Sequence, residues 1–357
     1  MIAGAGRSAY RGAMIPAPLR LALDGDALVS NWRTLAAMSG GAACGAAIKA
    51  DGYGLGAREV ATRLAAAGCR DFFVATWAEA AALADLDVTV SVLHGVRDED
   101  MPAALGAARA RPVLNTVRQV RRWREAGGGA CDVMVDTGMN RLGLCPDDVA
   151  AGLLDRLRVE TLMSHLASAD EDVPANAAQR DAFAALAGRT SARRLSLANS
   201  AGIALGAGYA FDLTRPGIAI YGGIQSPAFE GRIRQVVRPR VQVLQRRLVP
   251  AGQSVGYNAT WTASADTEVA ILNLGYADGY LRCFSDKGMA RVEGLALPVI
   301  GRVSMDLVAI DVGRAPDLAE GDWVEIDYAL PQAAARSGLS QYELVTGLGQ
   351  RFDRFWG

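Results

Sequence analysis

Ala46-Ala-Ile-Lys-Ala-Asp-Gly-Tyr-Gly-Leu-Gly56 begins as a small apolar run, reaches a single lysine and then turns through three glycines. The run predicts a short buried strand, and a helix is predicted to start near Arg58. Lys49 therefore stands at the end of a strand, where burying an unpaired ammonium group would be costly. A desolvated amine has a lowered pKa and can form a Schiff base with an aldehyde. The alternative is a structural lysine whose stem packs at the strand end while its ammonium group reaches solvent.

Length and composition favour a soluble globular protein with one barrel-sized domain and a smaller one. The chain has 357 residues, of which 51% are hydrophobic and 21% charged, as expected for a packed core under a polar surface. The formal net charge is -1, so nothing in the charge balance points to nucleic acid or to an anionic membrane as a partner.

Cysteine and histidine usage argues against a disulfide framework and against a metal site. The five cysteines are scattered without a CxxC pair, and the two histidines are His94 and His165. Residues 1–17 are predicted to form a flexible leader, because they lack the continuous apolar core of a secretory signal. No apolar run reaches the length of a membrane span, so the sequence predicts a cytoplasmic protein.

Short apolar runs alternate with helical patterns over residues 40–225. After the lysine strand, runs follow at residues 72–76, 90–95, 112–116, 131–136, 160–165, 194–200 and 217–222. About eight buried strands separated by helices predict an α/β fold with a closed, parallel (β/α)8 TIM barrel. Active sites in this fold lie at the carboxyl ends of the strands. The polar residues at or near such ends are Lys49, Asp136, His165, Ser200 and Arg215.

The pattern changes near Gly231, and the remaining chain predicts a second, mostly β C-terminal domain. Alternating apolar segments occur at residues 241–244, 268–274, 290–292, 297–300, 307–312 and 323–326. The predicted domains are therefore residues 18–230 for the barrel and 231–357 for the β domain. Residues 18–23 alternate like a strand and are candidates to join the β domain.

Lys49-Ala-Asp-Gly-Tyr53-Gly resembles the lysine motif of the alanine racemases, which bind pyridoxal 5'-phosphate (PLP). The resemblance runs from about Leu19 to the end, with five or more segments in family order between Lys49 and Arg302. It implies PLP as the cofactor, covalently attached to Lys49, in a PLP-binding barrel.

Inversion at an α-carbon needs an acidified α-proton and a base on each face of the carbon. PLP is a common electron sink for such chemistry. The resemblance assigns one face to Lys49 and the other to Tyr257, which stands in Ser254-Val-Gly-Tyr257-Asn-Ala-Thr-Trp-Thr-Ala. In the family this tyrosine comes from the partner subunit, so a homodimer with shared active sites is implied. Without the lysine motif, Tyr257 would be interpreted as a partly buried core tyrosine.

Other cofactor contacts are implied by the segments Ala198-Asn-Ser200-Ala and Arg215-Pro-Gly217-Ile218. Asn199, Ser200, the main-chain N–H groups of Gly217 and Ile218, and Tyr53 would hold the phosphate. An arginine does not readily give up a proton, so Arg215 would leave the PLP ring nitrogen unprotonated. His165 would lie near the ring and its arginine; the alternative is a purely structural hydrogen-bonding role.

The resemblance also implies substrate contacts and a narrow polar entrance. Arg141, in Val135-Asp-Thr-Gly-Met-Asn-Arg141-Leu-Gly, would bind the substrate carboxylate together with the main-chain N–H of Met305. The implied entrance residues are Asp170, Tyr276, Arg282 and Arg302. Taken singly, each charged residue could equally be a solvated surface charge.

Two positions depart from the family pattern. Met134 occupies the position of a carbamylated lysine that helps to hold the substrate-binding arginine, so Arg141 must be braced by other means, such as a bound anion or Asn140. Gln350 occupies the position of a phosphate-binding tyrosine found in some members. Both departures bear on which amino acid is preferred.

The sequence thus predicts an isomerase, a PLP-dependent amino-acid racemase. Alanine racemase is the leading hypothesis: two-base interconversion of L- and D-alanine through the Schiff base of substrate and PLP, supplying D-alanine for peptidoglycan. The alternatives are a broad-specificity or other racemase, for example of serine, and a non-catalytic PLP-binding homeostasis protein. A PLP-dependent decarboxylase of the same fold is disfavoured, because no acidic residue is placed for the ring nitrogen.

Overall fold

The structure is a computed structural model that describes residues 17–357 and divides them into two compact units. The barrel unit consists of Leu23–Arg238, Tyr328–Gly347 and Trp356–Gly357. The β unit consists of residues 17–22, Pro239–Asp327 and Leu348–Phe355. All but the last residue of the predicted leader lies outside the described residues.

Parallel strands form the core of the barrel unit. Their bounds are β2 (Ala43–Cys44), β3 (Ala46–Ala47), β4 (Asp71–Val74), β5 (Thr89–Val92), β6 (Ala110–Leu114), β7 (Cys131–Met134), β8 (Val159–Met163), β9 (Arg194–Ser196) and β10 (Leu213–Thr214). The strands from β3 to β9 form one parallel sheet in chain order, and β10 pairs with β2 in parallel. β2 and β3 are separated by Gly45 alone and act as one interrupted strand.

Backbone hydrogen bonds between β9 and β10 complete the circuit of the barrel. Asp212 N donates to Leu195 O at 3.0 Å, and Arg215 N donates to Ala198 O at 2.8 Å. The circuit has eight strand positions once β2 and β3 are counted together. The predicted α/β barrel is therefore confirmed, and its strand ends converge on one face.

The helices of the described chain are mostly short. They are α1 (Gly25–Met38), α2 (Lys49–Tyr53), α3 (Ala57–Ala67), α4 (Trp77–Ala81), α5 (Met101–Gly106), α6 (Val117–Glu125), α7 (Pro146–Ala150), α8 (Pro174–Ala184), α9 (Ser200–Ala204), α10 (Leu330–Ser337) and α11 (Gln341–Thr346). In α1 the Asp24 carboxylate caps Ala27 N at 2.7 Å, and Leu28, Trp32 and Leu35 are buried on one face as the periodicity predicts. None of these helices is long and apolar enough to cross a membrane.

The β unit is built around one long strand. Its strands are β1 (Leu19–Leu23), β11 (Val237–Val249), β12 (Ser254–Val255), β13 (Trp261–Thr262), β14 (Thr267–Leu272), β15 (Met289–Val292), β16 (Leu295–Ile300), β17 (Val308–Asp311), β18 (Trp323–Ile326) and β19 (Asp353–Trp356). β11 pairs with both β18 and β14, which closes the antiparallel circuit β14-β17-β16-β15-β18-β11. β1 continues this sheet beyond β11, so the alternating segment at residues 18–23 is a strand of the β unit.

One predicted strand is wrong, and one segment of the predicted β domain contacts the barrel unit. Residues 217–222 were predicted as the last barrel strand, but they form successive turns in which Ile220 N donates to Gly217 O and Tyr221 N to Ile218 O. The last barrel strand is the two-residue β10, too short to produce a pattern. Residues 328–347 were predicted to belong to the β domain but cluster with the barrel unit, where Gln341 bonds the backbone of Ile224.

Candidate active site

A cavity of about 720 Å³ opens at the carboxyl ends of the barrel strands. Its volume lies in the range of small-molecule and cofactor sites. Of the residues predicted from the sequence, it is lined by Lys49, Tyr53, Arg141, His165, Asn199, Ser200, Arg215 and Gly217. Parallel strands bring these side chains together although up to 168 positions separate them in sequence, from 49 to 217. Within residues 17–357 no group of acidic, His or Cys side chains is suited to a metal ion.

The lysine turn has an unusual backbone. Ala50, Asp51, Gly52 and Tyr53 of α2 all have left-handed conformations, with φ between 52° and 62°. Each left-handed non-glycine residue costs roughly 1–2 kcal/mol. The turn is retained by Gly52 N donating to Ile48 O and by Ala57 N donating to the Asp51 carboxylate, both at 2.8 Å. Backbone strain that is retained by hydrogen bonds is typical of functional sites. The geometry of the turn directs Lys49 into the cavity.

Glu79 braces this turn, a role that the sequence analysis missed. Its Oε1 accepts from Ala50 N at 2.8 Å, directly after the lysine, and its Oε2 accepts from Ala75 N at 2.6 Å. Glu79 also completes a capping box with Thr76 at the start of α4. The Thr-x-x-Glu spacing was a readable signal for the cap, but the bond to Ala50 depends on the geometry of the turn.

The amine of Lys49 is partly desolvated in the cavity. Burial lowers the pKa of Lys49, the positive charge of Arg141 lowers it further, and the carboxylate of Glu79 opposes both effects. A lowered pKa increases the neutral, nucleophilic fraction of the amine. Lys49 is exposed to the open cavity and is therefore not held in an apolar core.

One corner of the cavity, the phosphate corner, combines a serine hydroxyl with backbone N–H groups of the kind that bind anions. The hydroxyl of the buried Ser200 accepts from Gly217 N at 2.9 Å and from Ala219 N at 3.3 Å. Ile218 is fully buried, and its N–H has no acceptor between residues 17 and 357. Buried backbone N–H groups are almost always paired, so this one fits an anion oxygen. Tyr53 is 5% exposed, and its hydroxyl lies against Gly217.

Gly217 must be a glycine for this corner to exist. A Cβ at this position would overlap the hydroxyl of Tyr53, whose ring is stacked on Tyr221 with centroids 4.5 Å apart. We expect Gly217→Ala to raise the Kd for PLP by roughly tenfold, which is about 1.4 kcal/mol. Titration of the cofactor-free protein, followed by visible absorbance, measures this. Gly106→Ala is the control, because no atom lies within 4 Å of its added Cβ; equal affinities would contradict the assignment.

Arg215 is buried beneath the cavity floor. It is 7% exposed, and its guanidinium group donates to Ser196 Oγ and, at 2.6 Å, to Ser164 O. Burial lowers the pKa of Arg215 to about 10, and the charge of Asp132 opposes this shift. Arg215 therefore remains protonated at neutral pH and offers donors, but no acidic proton, to a ring nitrogen.

His165 is held neutral. Burial lowers its pKa from 6.5 to about 3, and the charges of Arg215, Arg141 and Lys49 act in the same direction. A neutral histidine adds no further positive charge to a cavity that already contains three cationic side chains. This finding fits the predicted position near Arg215.

The depressed pKa of His165 predicts acid sensitivity of the cofactor-free protein. Between its folded pKa near 3 and its unfolded pKa near 6.5, the unfolded state binds more protons. Stability is thus fully present well above pH 6.5 and falls as pH falls, by about 2 kcal/mol by pH 5. In chemical denaturation at several pH values, His165→Asn should show a flatter pH dependence than wild type. Gly106→Ala, which changes no titratable group, should keep the wild-type slope; identical slopes in all three proteins would contradict the prediction.

Arg141 is positioned through its backbone. The Asp136 carboxylate accepts from Gly138 N and Met139 N at 2.9 Å and from Arg141 N at 2.8 Å. Burial raises the pKa of Asp136, but these N–H groups outweigh it and hold the pKa below its usual range. Asn140 takes a left-handed conformation (φ 56°) within this loop. The bracing expected of Asn140 or an anion is thus supplied at the backbone by Asp136.

Met134 lines the cavity and is 9% exposed. In the part of the chain that the structure describes, the Arg141 guanidinium has no hydrogen-bond acceptor. The side chain of Arg141 is therefore free to turn toward a substrate carboxylate, as the Met134 position suggested from the sequence.

The other predicted site residues divide between the two units. Asp170 is an exposed residue of the barrel unit, and its charge raises the pKa of Tyr342. The β unit contains the remaining predicted residues, Tyr257, Tyr276, Arg282, Arg302 and Met305. Tyr257 is 67% exposed, so the alternative of a core tyrosine is wrong.

Within the β unit, Tyr257 and Arg302 line a depression of about 350 Å³ together with Val255 and Leu307. Met305 is 53% exposed, and its carbonyl accepts from Ala277 N at 3.0 Å. The guanidinium of Arg282 lies over the ring of Tyr276 at 5.4 Å. Arg282 and Arg302 are exposed, Tyr276 is half-buried, and Gln350 is exposed as well.

A lysine, a phosphate corner and a protonated arginine lie together at the ends of parallel barrel strands. This combination defines a PLP-dependent enzyme, here with an added β domain. Two family models that match the sequence identify the family within this class. "Alanine racemase, N-terminal domain" matches residues 23–225, and "Alanine racemase, C-terminal domain" matches residues 236–356. The chain belongs to the alanine racemase family.

Individual relatives are similar in sequence to this chain over nearly their full length. An alanine racemase from Acidiphilium cryptum is 43% identical over 352 residues, covering 94% of this chain and 97% of its own. A catabolic alanine racemase from Agrobacterium fabrum is 41% identical, covering 94% of this chain and 91% of its own. Alanine racemase from Bartonella henselae, solved with covalently bound pyridoxal phosphate, has a TM-score of 0.88 at 32% identity, covering 96% of this chain and 100% of that one. The family and the fold class inferred from the sequence are confirmed.

Proposed function

We propose that the protein is a PLP-dependent alanine racemase, an isomerase that interconverts L- and D-alanine. The observation that carries this proposal is the single cavity that combines Lys49, the phosphate corner around Gly217 and the protonated Arg215. The names of the relatives, and the pyridoxal phosphate bound covalently in one of them, support the same substrate and cofactor.

The cofactor would be held at three points by residues of the barrel unit. Lys49 would attach it, Ser200, Tyr53 and the Ile218 N–H would hold its phosphate, and Arg215 would donate to its ring nitrogen. When bound, PLP withdraws electrons from the substrate α-carbon and so acidifies the α-proton. Because Arg215 keeps its own proton, this withdrawal is moderate, which favours return of a proton over side reactions.

Two bases would act on opposite faces of the α-carbon. The amine of Lys49, with its lowered pKa, would accept or return the proton on one face. The hydroxyl of Tyr257 would do so on the other face, and Arg141 and the Met305 N–H would orient the substrate carboxylate. Asp170, Tyr276, Arg282 and Arg302 would form the entrance.

A homodimer is part of this proposal. Tyr257 and Met305 are exposed residues of the β unit, and each would enter the cavity of the partner subunit. An exposed aromatic residue beside an apolar depression is typical of a protein interface. Each active site would then contain residues of two chains.

The physiological role that we infer is supply of D-alanine for peptidoglycan by a cytoplasmic enzyme. Three relatives are named catabolic alanine racemases, so net conversion of D-alanine to L-alanine is the second candidate role. Deletion of the gene distinguishes the two. A requirement for added D-alanine indicates the biosynthetic role, whereas loss of growth on D-alanine as carbon source indicates the catabolic one.

The reaction itself is tested by incubating the PLP-loaded protein with L-alanine, L-serine or L-lysine in D₂O. Loss of optical rotation and incorporation of α-deuterium are followed together. Fast inversion of alanine alone supports the proposal. Comparable rates on serine or lysine would indicate a broad-specificity racemase, and a yellow protein that exchanges no α-proton would indicate a PLP-binding protein without turnover.

Met134 offers a test of how Arg141 is held. A lysine here, once carbamylated, would supply an anionic partner for the Arg141 guanidinium in a mostly buried position. We expect Met134→Lys to lower the KM for alanine by a few-fold, which is about 1 kcal/mol, with little change in kcat. Steady-state kinetics with added bicarbonate measure this, and Met134→Leu is the control. An unchanged KM would show that the backbone bracing by Asp136 is sufficient.

A further inference from the structure

Helix α11 is attached to the barrel unit at two points beside the phosphate corner. The Gln341 amide accepts from Ile224 N at 2.8 Å and donates to Ile224 O at 2.6 Å. At its other end, the carbonyl of Val345 packs against Gly54 of the lysine turn, so closely that a Cβ at Gly54 would lie 3.3 Å from it. α11 therefore spans the two chain segments that carry the lysine and the phosphate contacts.

This attachment places Tyr342 in the wall of the cavity. Its ring centroid is 6.3 Å from that of Tyr53, and its hydroxyl donates to Gln225 Oε1 at 3.2 Å. Tyr53 is in turn stacked on Tyr221, whose hydroxyl donates to Ala47 O at 2.9 Å. Tyr53 thus neighbours two aromatic rings, of which Tyr221 is buried and Tyr342 lines the cavity.

Position and exposure argue against a purely structural Tyr342. The side chain is 37% exposed, although it is attached to a helix whose Leu344 and Val345 are buried. Burial of the hydroxyl raises the pKa of Tyr342, with a further increase from Asp170, so it remains a protonated donor at neutral pH. A large aromatic ring left open to a cofactor cavity is typical of a ligand contact.

We propose that Tyr342 is a positioning residue for the cofactor phosphate: its ring keeps Tyr53 against Gly217 and closes this side of the corner. The proposal rests on the proposed function, because it assumes that PLP occupies the cavity. Tyr342 would thereby determine how long PLP is retained, and Gln225 would fix the orientation of its ring.

The test measures cofactor binding directly. Full-length protein is freed of cofactor and titrated with PLP, and separately with pyridoxal, which lacks the phosphate; visible absorbance and the rate of cofactor loss on dilution are recorded. Tyr342→Ala is expected to raise the Kd for PLP about tenfold, the upper range for one aromatic pair, while the Kd for pyridoxal changes little. Tyr342→Phe should retain most of the affinity, because the ring is preserved.

Controls separate this inference from a general loss of structure. Tyr209→Ala removes a tyrosine outside the cavity that contacts Arg180, and it should bind PLP as wild type does. Gln225→Ala should give a smaller loss than Tyr342→Ala, without a change in thermal unfolding of the cofactor-free protein. Wild-type affinity in Tyr342→Ala, or equal losses for PLP and pyridoxal, would overturn the inference. If the wild-type protein itself formed no coloured complex with PLP, the proposed function would fail instead.

Discussion

Lys49→Ala is expected to lower the rate of alanine racemisation by at least about 10³-fold, because one amine both attaches the cofactor and moves the α-proton. The structure supports both roles: the lysine is directed into the cavity by a left-handed turn, and its pKa is lowered by burial and by Arg141. The loss should appear mainly in kcat. Added methylamine should restore a small part of the rate, because the free amine can replace the missing base.

The chain offers an unusually clean control for this variant. It contains two lysines, Lys49 and Lys287, and Lys287 is an exposed residue of the β unit. Borohydride reduction of the PLP-loaded protein should label the peptide that contains Lys49 and leave Lys287 unlabelled in the same mass spectrum. Lys287→Ala should retain full activity. Labelling of Lys287, or a Lys49→Ala variant of wild-type rate, would refute the assignment.

The barrel and its site could be predicted from the sequence to different depths. Alternating apolar runs located the strands β4 to β9, because buried parallel strands leave a pattern that survives without tertiary information. The run at residues 217–222 misled the prediction because burial alone makes it apolar, whatever its backbone conformation. The contacts of residues 328–347 with the barrel unit could not be predicted, because their partners, such as Ile224, lie more than a hundred positions earlier in the chain.

Side chains that act through the backbone were the hardest to predict. The chemistry of Lys49 followed from residue type and position, and the role expected of Arg215 followed from the family resemblance. Glu79 was missed as a site residue, and Asp136 was placed at a strand end without a role. Each acts by accepting N–H groups of a loop whose shape the sequence does not state. Tyr342 was missed for a similar reason: its contact with Tyr53 exists only once α11 packs against the barrel unit.

Tyr257→Phe should abolish inversion while leaving exchange on one face of the α-carbon. Tyr257 stands on the exposed tip between β12 and β13, where Asn258 and Ala259 take left-handed conformations (φ 63° and 48°). A strained, exposed tip that presents a tyrosine indicates a functional role and not packing. We expect racemisation to fall about 10²–10⁴-fold, the range for a missing general acid or base. In D₂O, one enantiomer of alanine should still exchange its α-proton, with retention of configuration.

A mixture of two inactive variants tests whether the tyrosine acts in the partner subunit. Lys49→Ala and Tyr257→Phe chains, carrying different affinity tags, are co-expressed, and the hybrid dimer is purified through both tags. If each site combines Lys49 of one chain with Tyr257 of the partner subunit, the hybrid contains one intact site and one doubly defective site, and about half of the wild-type activity returns. If both residues acted within one chain, neither site would be intact and the hybrid would be as inactive as its parents. The hybrid thus distinguishes active sites shared between two chains from active sites formed within one chain. The same two substitutions are present in both cases, and only the site to which each belongs differs.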